Sequence, residues 1–365
     1  MLYFLSVATL REKIGQLFMV GLSGEELTGR EQSILKQFPA GGFILFSRNY
    51  TDPAQWVSLC RSLWATGIET PPFIAIDHEG GRVNRLPKPF THFPAPRLIG
   101  RKSDPALAYS AGRAAATELA LGGINLNFAP VLDVDSNPAN PIIGDRSFGA
   151  NPVEVAAIAG NWTNGLRDGR IIPCGKHFPG HGDTDKDSHL DLPVVEKSLA
   201  ELAALELPPF MEACRNHIES LMTAHVIYRA LDRRLPATLS PPVVTELLRQ
   251  SLGYDGVVFT DDMDMKAISE HYGREDAAQL AIHAGVDVLL YCHELSRAAV
   301  VFDFIFQEAQ KTPALQARVD QSYRRVVNLK RRHLNKFTGV AQDELVMRLV
   351  ELDHQRIVDQ FQGNL

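Results

Sequence analysis

The stretch KHFPGHGDTDKDSHLDLP, from Lys176 to Pro193, holds three histidines, four aspartates and two lysines in eighteen residues. Its Gly and Pro content argues against a helix interior, and so polar a run is not a core strand. Three readings suit these residue types: a metal site, a proton-handling pair, or a solvated loop. Asp187 and His189 are two apart, so in extended chain they project to the same side. The carboxylate would then hold the imidazole in one tautomer and raise its basicity, which makes an acid/base unit for work near neutral pH. The metal reading takes His177 and His181, four apart, with Asp183, Asp187 and His189 downstream. Against it, Pro179 and the intervening glycines prevent the helical facing that an HxxxH pair uses, and the cysteines lie elsewhere.

Similar polar residues recur. FTDDMDM (259–265) places Asp261 directly after an apolar run, where a carboxylate suits a nucleophile, a base, a metal ligand or a helix cap. Asp262 or Asp264 also suits a cap on the next helix. IDHEGGRVNR (76–85) offers Asp77, a Gly80–Gly81 pair for a tight turn, and Arg82 and Arg85. An Asp with one Arg forms a clamp on vicinal hydroxyls, because the acid accepts and the guanidinium donates. Sugars present that pattern. The other reading is an Asp–Arg pair that holds the loop together, a role expected for one of the two arginines. IIGDRSF (142–148) adds Arg146, and TAHVIY (223–228) is a further cluster.

These residues fall at the ends of short apolar runs. The runs are QLFMVGL (16–22), GGFILF (41–46), PFIAID (72–77), LNFAPVLDV (126–134), RIIPCGKH (170–177), SLMTAHVIY (220–228), GVVFTDD (256–262) and GVDVLLYC (285–292). They read as strands buried on both faces. Amphipathic segments at 52–67, 104–123 and 151–169 alternate with them. Each opens on Asp or Asn followed by Pro, an N-cap with Pro at the first helical position, and closes near Gly. Eight strands alternating with helices predict an α/β fold, a single (β/α)8 barrel of the TIM type. The rival is a doubly wound sheet, but GLSGEEL (21–27) lacks that fold's glycine fingerprint. Two further helices, 315–334 and 342–361, are expected on the barrel flank. One catalytic domain is expected over 1–365, with a core of about 10–312 and C-terminal helices over about 314–363.

Barrel enzymes carry their chemistry at the C-terminal strand ends. Lys176 and His177 should therefore point into the mouth. The loop after them exceeds the usual two to six residues and suggests a mobile functional element. Its FPGHGDTDK portion (178–186) is read as the tether.

Composition narrows the function. Of 365 residues 45% are hydrophobic and the net charge is −6, with no basic run in the first three hundred positions, so nucleic acid is not an expected partner. LKRRH (329–333) closes a helical pattern, where cations commonly sit. Cys60, Cys174, Cys214 and Cys292 show no CxxC spacing and read as buried thiols. The start lacks the marks of a signal peptide, and no apolar run is long enough to span a bilayer. The expectation is a cytoplasmic monomer with no membrane partner.

Taken together, KHFPGHGDTDKDSHLDLP, IDHEGGRVNR and FTDDMDM resemble the family-three glycoside hydrolases. The likeness runs from about Ile14 to about His333 and includes GGFILFSRN, NFAPVLDV, GDRSF, TAHVIY and PATLS. It is nearest to the bacterial β-N-acetylglucosaminidase branch of cell-wall recycling. The resemblance implies a retaining hydrolase on a TIM barrel, with Asp261 as nucleophile and His189, oriented by Asp187, as general acid/base. It implies sugar contacts from Asp77, Arg146, Lys176 and His177, and from Arg85, which either binds a hydroxyl or positions Asp77. The implied substrate is a small saccharide, GlcNAc β-1,4-linked to 1,6-anhydro-N-acetylmuramic acid with or without peptide. No metal or other cofactor is implied. Rival readings are a β-glucosidase or xylosidase, a glycoside phosphorylase, a zinc hydrolase using His177, His181 and His189, and a non-catalytic sugar binder.

Overall fold

The computed structural model describes residues 8–67, 70–184 and 192–362. Eight parallel strands close into a barrel: β1 (Phe18–Gly21), β2 (Gly42–Leu45), β3 (Phe73–Ile76), β4 (Leu126–Asn127), β5 (Ile172–Phe178), β6 (Ser220–Thr223), β7 (Val257–Asp262) and β8 (Val288–Tyr291). Neighbours in the barrel are neighbours in the chain, and β8 returns to β1. This is the predicted (β/α)8 architecture.

The barrel interior is filled rather than open. Phe259 stands 5.9 Å from Phe73 and 5.4 Å from Phe128, centroid to centroid, both edge-on. Met19, Ile44, Leu126 and Leu290 complete the packing. Helix Pro313–His333 closes the floor, inserting Val326 and Leu329. Next to Leu329, Lys330 is fully buried, and its Nζ donates to Gln16 Oε1 at 2.6 Å and to the Gly41 carbonyl at 2.5 Å. Burial pushes this amine well below its ordinary pKa.

Outside the strands, helices Pro53–Trp64, Pro105–Leu121 and Pro152–Asp168 begin where the Asp-Pro and Asn-Pro pairs predict. Asp52, Asp104 and Asn151 each accept two N–H groups of the first turn. All four cysteines are buried and free. Among the described residues no helix is long and apolar enough to cross a membrane.

Three expectations fail for local reasons. The run 126–134 is regular strand only at Leu126–Asn127. Pro130 has no N–H for a ladder, and the chain beyond it meets β5 irregularly, through Lys176 N to Pro130 O and Leu132 N to Lys176 O. The run 220–228 divides after Thr223, and Ile227–Tyr228 leaves the barrel to pair with Val194–Val195. The helix expected over 342–361 is two, Leu345–Leu352 and Gln355–Gln362, broken at Asp353 with φ 47°. The break brings His354 Nδ1 to 2.9 Å from Glu118, a carboxylate buried under the tail, so tertiary contact overrides the local period.

Candidate active site

The mouth is built from the strand ends. Asp77 follows β3, and the next peptide is held on both sides: His78 N donates to Asn127 Oδ1 and Asn127 Nδ2 donates to His78 O, each at 2.9 Å. The loop then turns through Gly80 and Gly81, at φ 98° and 57°. A Cβ on Gly80 would lie 2.4 Å from Pro94 O, so the turn needs glycine on sterics as well as on φ.

Two buried acids, neither of them among the expected site residues, order the cations. Glu79 is completely enclosed and takes the Arg146 guanidinium in two parallel bonds of 2.8 Å. Its Oε1 also lies 2.7 Å from Lys176 Nζ, which donates to Asp77 Oδ1 at 2.6 Å. Arg85 Nη2 stands 3.7 Å from Asp77 Oδ2, the expected Asp–Arg pair. Arg82 pairs instead with Asp145 on the loop after β4, at 2.9 Å. Burial alone would raise Glu79, but the charges of Arg146 and Lys176 outweigh it and hold the carboxyl far below the usual range. Burial likewise opposes Lys176, and Asp77 and Glu79 overcome it to raise its pKa.

The second acid is Asp133, also enclosed. Its Oδ2 is 2.7 Å from His177 Nδ1, and its Oδ1 accepts the backbone N–H groups of His177 and His181 at 3.0 and 2.7 Å. With Nδ1 committed to this carboxylate, His177 turns Nε2 toward the mouth. His181 is itself buried, and burial first, then His177, pushes it down to about 4.

Residues 178–184, expected to form a tether, are therefore held in place. Tyr228 Oη donates to Gly180 O at 2.6 Å, and Asn140 Nδ2 donates to His181 O and Gly182 O. A Cβ on Gly182 would overlap Val134 O, so the loop base packs directly on the segment after β4. On the far side Pro193 O accepts Ile227 N. Asp187 and His189 lie outside the described residues.

Asp261 is the penultimate residue of β7 and accepts the N–H of Asp262 at 2.8 Å. Asp262 is buried; its Oδ1 accepts from Asp264 N and Cys292 N, and it closes a turn rather than capping a helix. Burial, with Asp264 and Asp261 nearby, pushes its carboxyl up to about 6 against the pull of those N–H groups. TAHVIY supplies no polar group to the mouth. His225 is fully buried and bonds Thr238 Oγ1 and the Asp262 carbonyl, a link between β6 and β7.

Asp77, Arg85, Arg146, Lys176, His177 and Asp261 all line one cavity of about 510 Å3 at the C-terminal strand ends. Its depth is apolar, with Ile44, Phe128, Met222 and Leu290. A larger depression of about 1390 Å3 lies on the flank, between Gln16, Leu35 and Leu59, and carries none of these residues. We assign chemistry to the smaller cavity, because Asp77, Glu79, Arg85, Arg146 and Lys176 pair with one another in its wall. Among the described residues no group of three His, Cys, Asp or Glu side chains is arranged to hold a metal.

The sequence pattern of the glycosyl hydrolase family 3 N-terminal domain matches residues 9–329. A protein called beta-hexosaminidase from Alkalilimnicola ehrlichii is 41% identical over 282 residues, covering 75% of this chain and 80% of that one. One of the same name from Neisseria meningitidis serogroup C is 40% identical over 285 residues, covering 76% and 78%. Among solved structures, a glycoside hydrolase family 3 β-N-acetylglucosaminidase from Paenibacillus superposes with a TM-score of 0.87 at 38% identity, over 95% of this chain and 69% of that one. NagZ from Neisseria gonorrhoeae, solved with N-trifluoroacetyl-D-glucosamine, does so with a TM-score of 0.70 at 33% identity, over 85% and 98%.

Two predictions follow from the buried acids. Glu79→Gln leaves two cations without their anion. Breaking such a buried pair should lower the unfolding free energy by about 3–5 kcal/mol, read by urea titration. Misplacing Lys176 and Arg146 should reduce kcat/KM on an aryl β-N-acetylglucosaminide by about 100-fold; wild-type kinetics would refute the role given to Glu79. Asp262 titrates near 6 when folded, above its usual 3.8, so the folded state binds its proton more tightly and stability falls as pH rises between those values. Asp262→Asn keeps an acceptor for both N–H groups and removes that titration. The fall in unfolding free energy across that window should shrink in the variant, and an unchanged slope would assign it to another group.

Proposed function

The chain belongs to glycosyl hydrolase family 3, and on that premise we propose that it is a retaining exo-β-N-acetylglucosaminidase acting on GlcNAc-1,6-anhydroMurNAc, with or without peptide. The coarser activity, β-N-acetylhexosaminidase, follows from the relatives at about 40% identity across three quarters of the chain. The observation that carries the finer reading is the convergence of Asp261 with the Asp77–Lys176–Glu79–Arg146 lattice in one cavity.

In this reading the terminal GlcNAc lies with its ring hydroxyls against Asp77, Arg146, Lys176 and His177. Asp77 accepts hydroxyl protons, Lys176 and Arg146 donate to hydroxyl oxygens, and Arg85 steadies Asp77 or adds a donor. Fixing the ring brings C1 to Asp261 in attack geometry. The Asp261 carboxylate bonds to C1 while the bond from C1 to the glycosidic oxygen breaks. His189 gives its proton to that oxygen, and the aglycone leaves as the alcohol. The neutral His189 then takes a proton from water, whose oxygen bonds to C1 and releases Asp261. Configuration at C1 is retained because displacement occurs twice. Asp187 orients the imidazole and stabilises its charged form. The steps require no cofactor, and the saccharide is the sole partner in this reading, with the chain acting as a cytoplasmic monomer and one catalytic domain.

Asp261→Ala should leave a folded protein with turnover reduced by at least about 10⁴-fold, since a covalent step is lost; retained turnover would remove Asp261 as nucleophile. His189→Ala should slow the natural disaccharide, which has a poor leaving group, far more than an activated aryl glycoside. Equal losses on both would argue against an acid role. Run in phosphate buffer, the same assay should yield free GlcNAc; GlcNAc-1-phosphate would replace hydrolysis by phosphorolysis.

A further inference from the structure

The barrel end opposite the strand-end acids holds a second cavity, of about 350 Å3, that the proposed reaction does not use. It is lined by Arg167, Arg170, Arg332, His333 and Lys336, beside Trp64 and Phe337, and no Asp or Glu among the described residues lines it. In a chain of net charge −6 this is a local concentration of positive charge.

Part of it has a structural explanation. Helices Pro152–Asp168 and Pro313–His333 both end here, and cations beside their last carbonyls answer the helix dipoles. Arg167 is fully engaged: its Nε meets Glu219 at 2.8 and 3.0 Å, and its other nitrogens donate to Asn164, Asn216 O and His217 O. Arg332 Nε donates to Asn328 O at 3.4 Å.

The remaining cations, Arg170, Arg332 and Lys336, are exposed and are not tied down by the fold. Arg170 and Lys336 make no side-chain hydrogen bond or ion pair among the described residues, and neither does the outer end of the Arg332 guanidinium. Arg170 also stands at φ 67°, just past a helix end, where Gly or Asn is the comfortable residue. Holding an arginine rather than glycine there costs about 1–2 kcal/mol, while the turn's backbone bonds, Arg170 N to Arg167 O and Ile171 N to Leu166 O, need no side chain. Guanidinium groups with free donors, an ammonium and an aromatic wall are what a phosphate-bearing molecule meets in a pocket. The volume is within the range of small-molecule sites.

We propose that this floor pocket binds a phosphate-bearing small molecule, with Arg170, Arg332 and Lys336 meeting its oxygens. The phosphate belongs either to an inorganic anion or to a nucleotide. Trp64 and Phe337, whose rings tilt together at 5.9 Å, would add base contact in the second case.

Isothermal titration of the whole protein with pyrophosphate and with ADP, against chloride at matched ionic strength, tests this. At least one of the two should bind at one equivalent, and Arg170→Ala with Lys336→Ala should weaken it at least about tenfold. Tighter ADP binding that is lost in Trp64→Leu identifies a nucleotide, while equal binding of both probes identifies the phosphate alone. Arg170→Gly relieves the backbone while removing the cation. It should therefore resist urea at least as well as the wild type, bind the probe more weakly and hydrolyse aryl β-N-acetylglucosaminides normally. Absence of binding beyond the chloride control, or binding unchanged in the double variant and in Arg170→Gly, would overturn the proposal.

Discussion

Glu79 has no contact with solvent and yet carries a full charge, because Arg146 and Lys176 close on it from two sides. Everything polar at the barrel mouth is arranged around that constraint. Lys176 cannot move without abandoning Glu79, so the reach of its Nζ to Asp77 is fixed as well. Asp77, Glu79, Asp261, Asp262 and Asp264 stand against Arg82, Arg85, Arg146, Lys176 and Lys266, an equal count of acids and cations lining one cavity. Balance of this kind keeps polar groups oriented before a ligand arrives, so little reorganisation remains when it does. The apolar depth contributes by keeping the local dielectric low, which strengthens each of these pairs.

Asp133 applies the same principle one strand away. It satisfies two backbone N–H groups and one imidazole, so β5 and the loop that leaves it are tied to the segment after β4. The loop base is then pinned again by Tyr228 and Asn140. A long loop thus begins from a rigid footing at its first residues. Lys176 to Thr184 belongs to the barrel mouth as firmly as any strand end. This also settles what His181 does within the described structure: it is a packed, buried ring against His177, at 5.7 Å between centroids, rather than a solvated histidine.

Much of this was legible in the sequence, for a physical reason. Parallel strands buried on both faces must be continuously apolar, so the runs stand out, and residues at their ends stand out by contrast. Asp77, Lys176, His177 and Asp261 were visible that way. Glu79 and Asp133 were not. Glu79 sits in HEGGR, where an acid beside a glycine turn reads as an exposed loop residue, and Asp133 sits inside VLDV, where it reads as an interruption of a strand. Their importance comes from partners 67 and 44 positions away, which no local pattern reports. The short β4 was legible in principle from Pro130; just past the end of β3, His78 is held by the Asn127 side chain instead of by a ladder. The break at Asp353 was not, because it depends on Glu118 waiting beneath it.

The two ends of the barrel now contrast in a way that composition alone conceals. At the mouth every described cation has an anion within reach, and the surplus capacity is for hydrogen bonds to neutral hydroxyls. At the floor, Asp287 meets Arg249, Arg318 and Arg325 and offsets only part of their charge, while Lys330 is buried with only neutral acceptors. The cations left over on that side, Arg170, Arg332 and Lys336, line the second cavity. A balanced wall favours a neutral ligand, since an anion there would compete with Asp77 and Glu79 and a cation with Lys176 and Arg146. An unbalanced wall favours an anion. The placement of charge therefore separates a neutral sugar ring at one end from a charged ligand at the other, although the chain as a whole is mildly acidic.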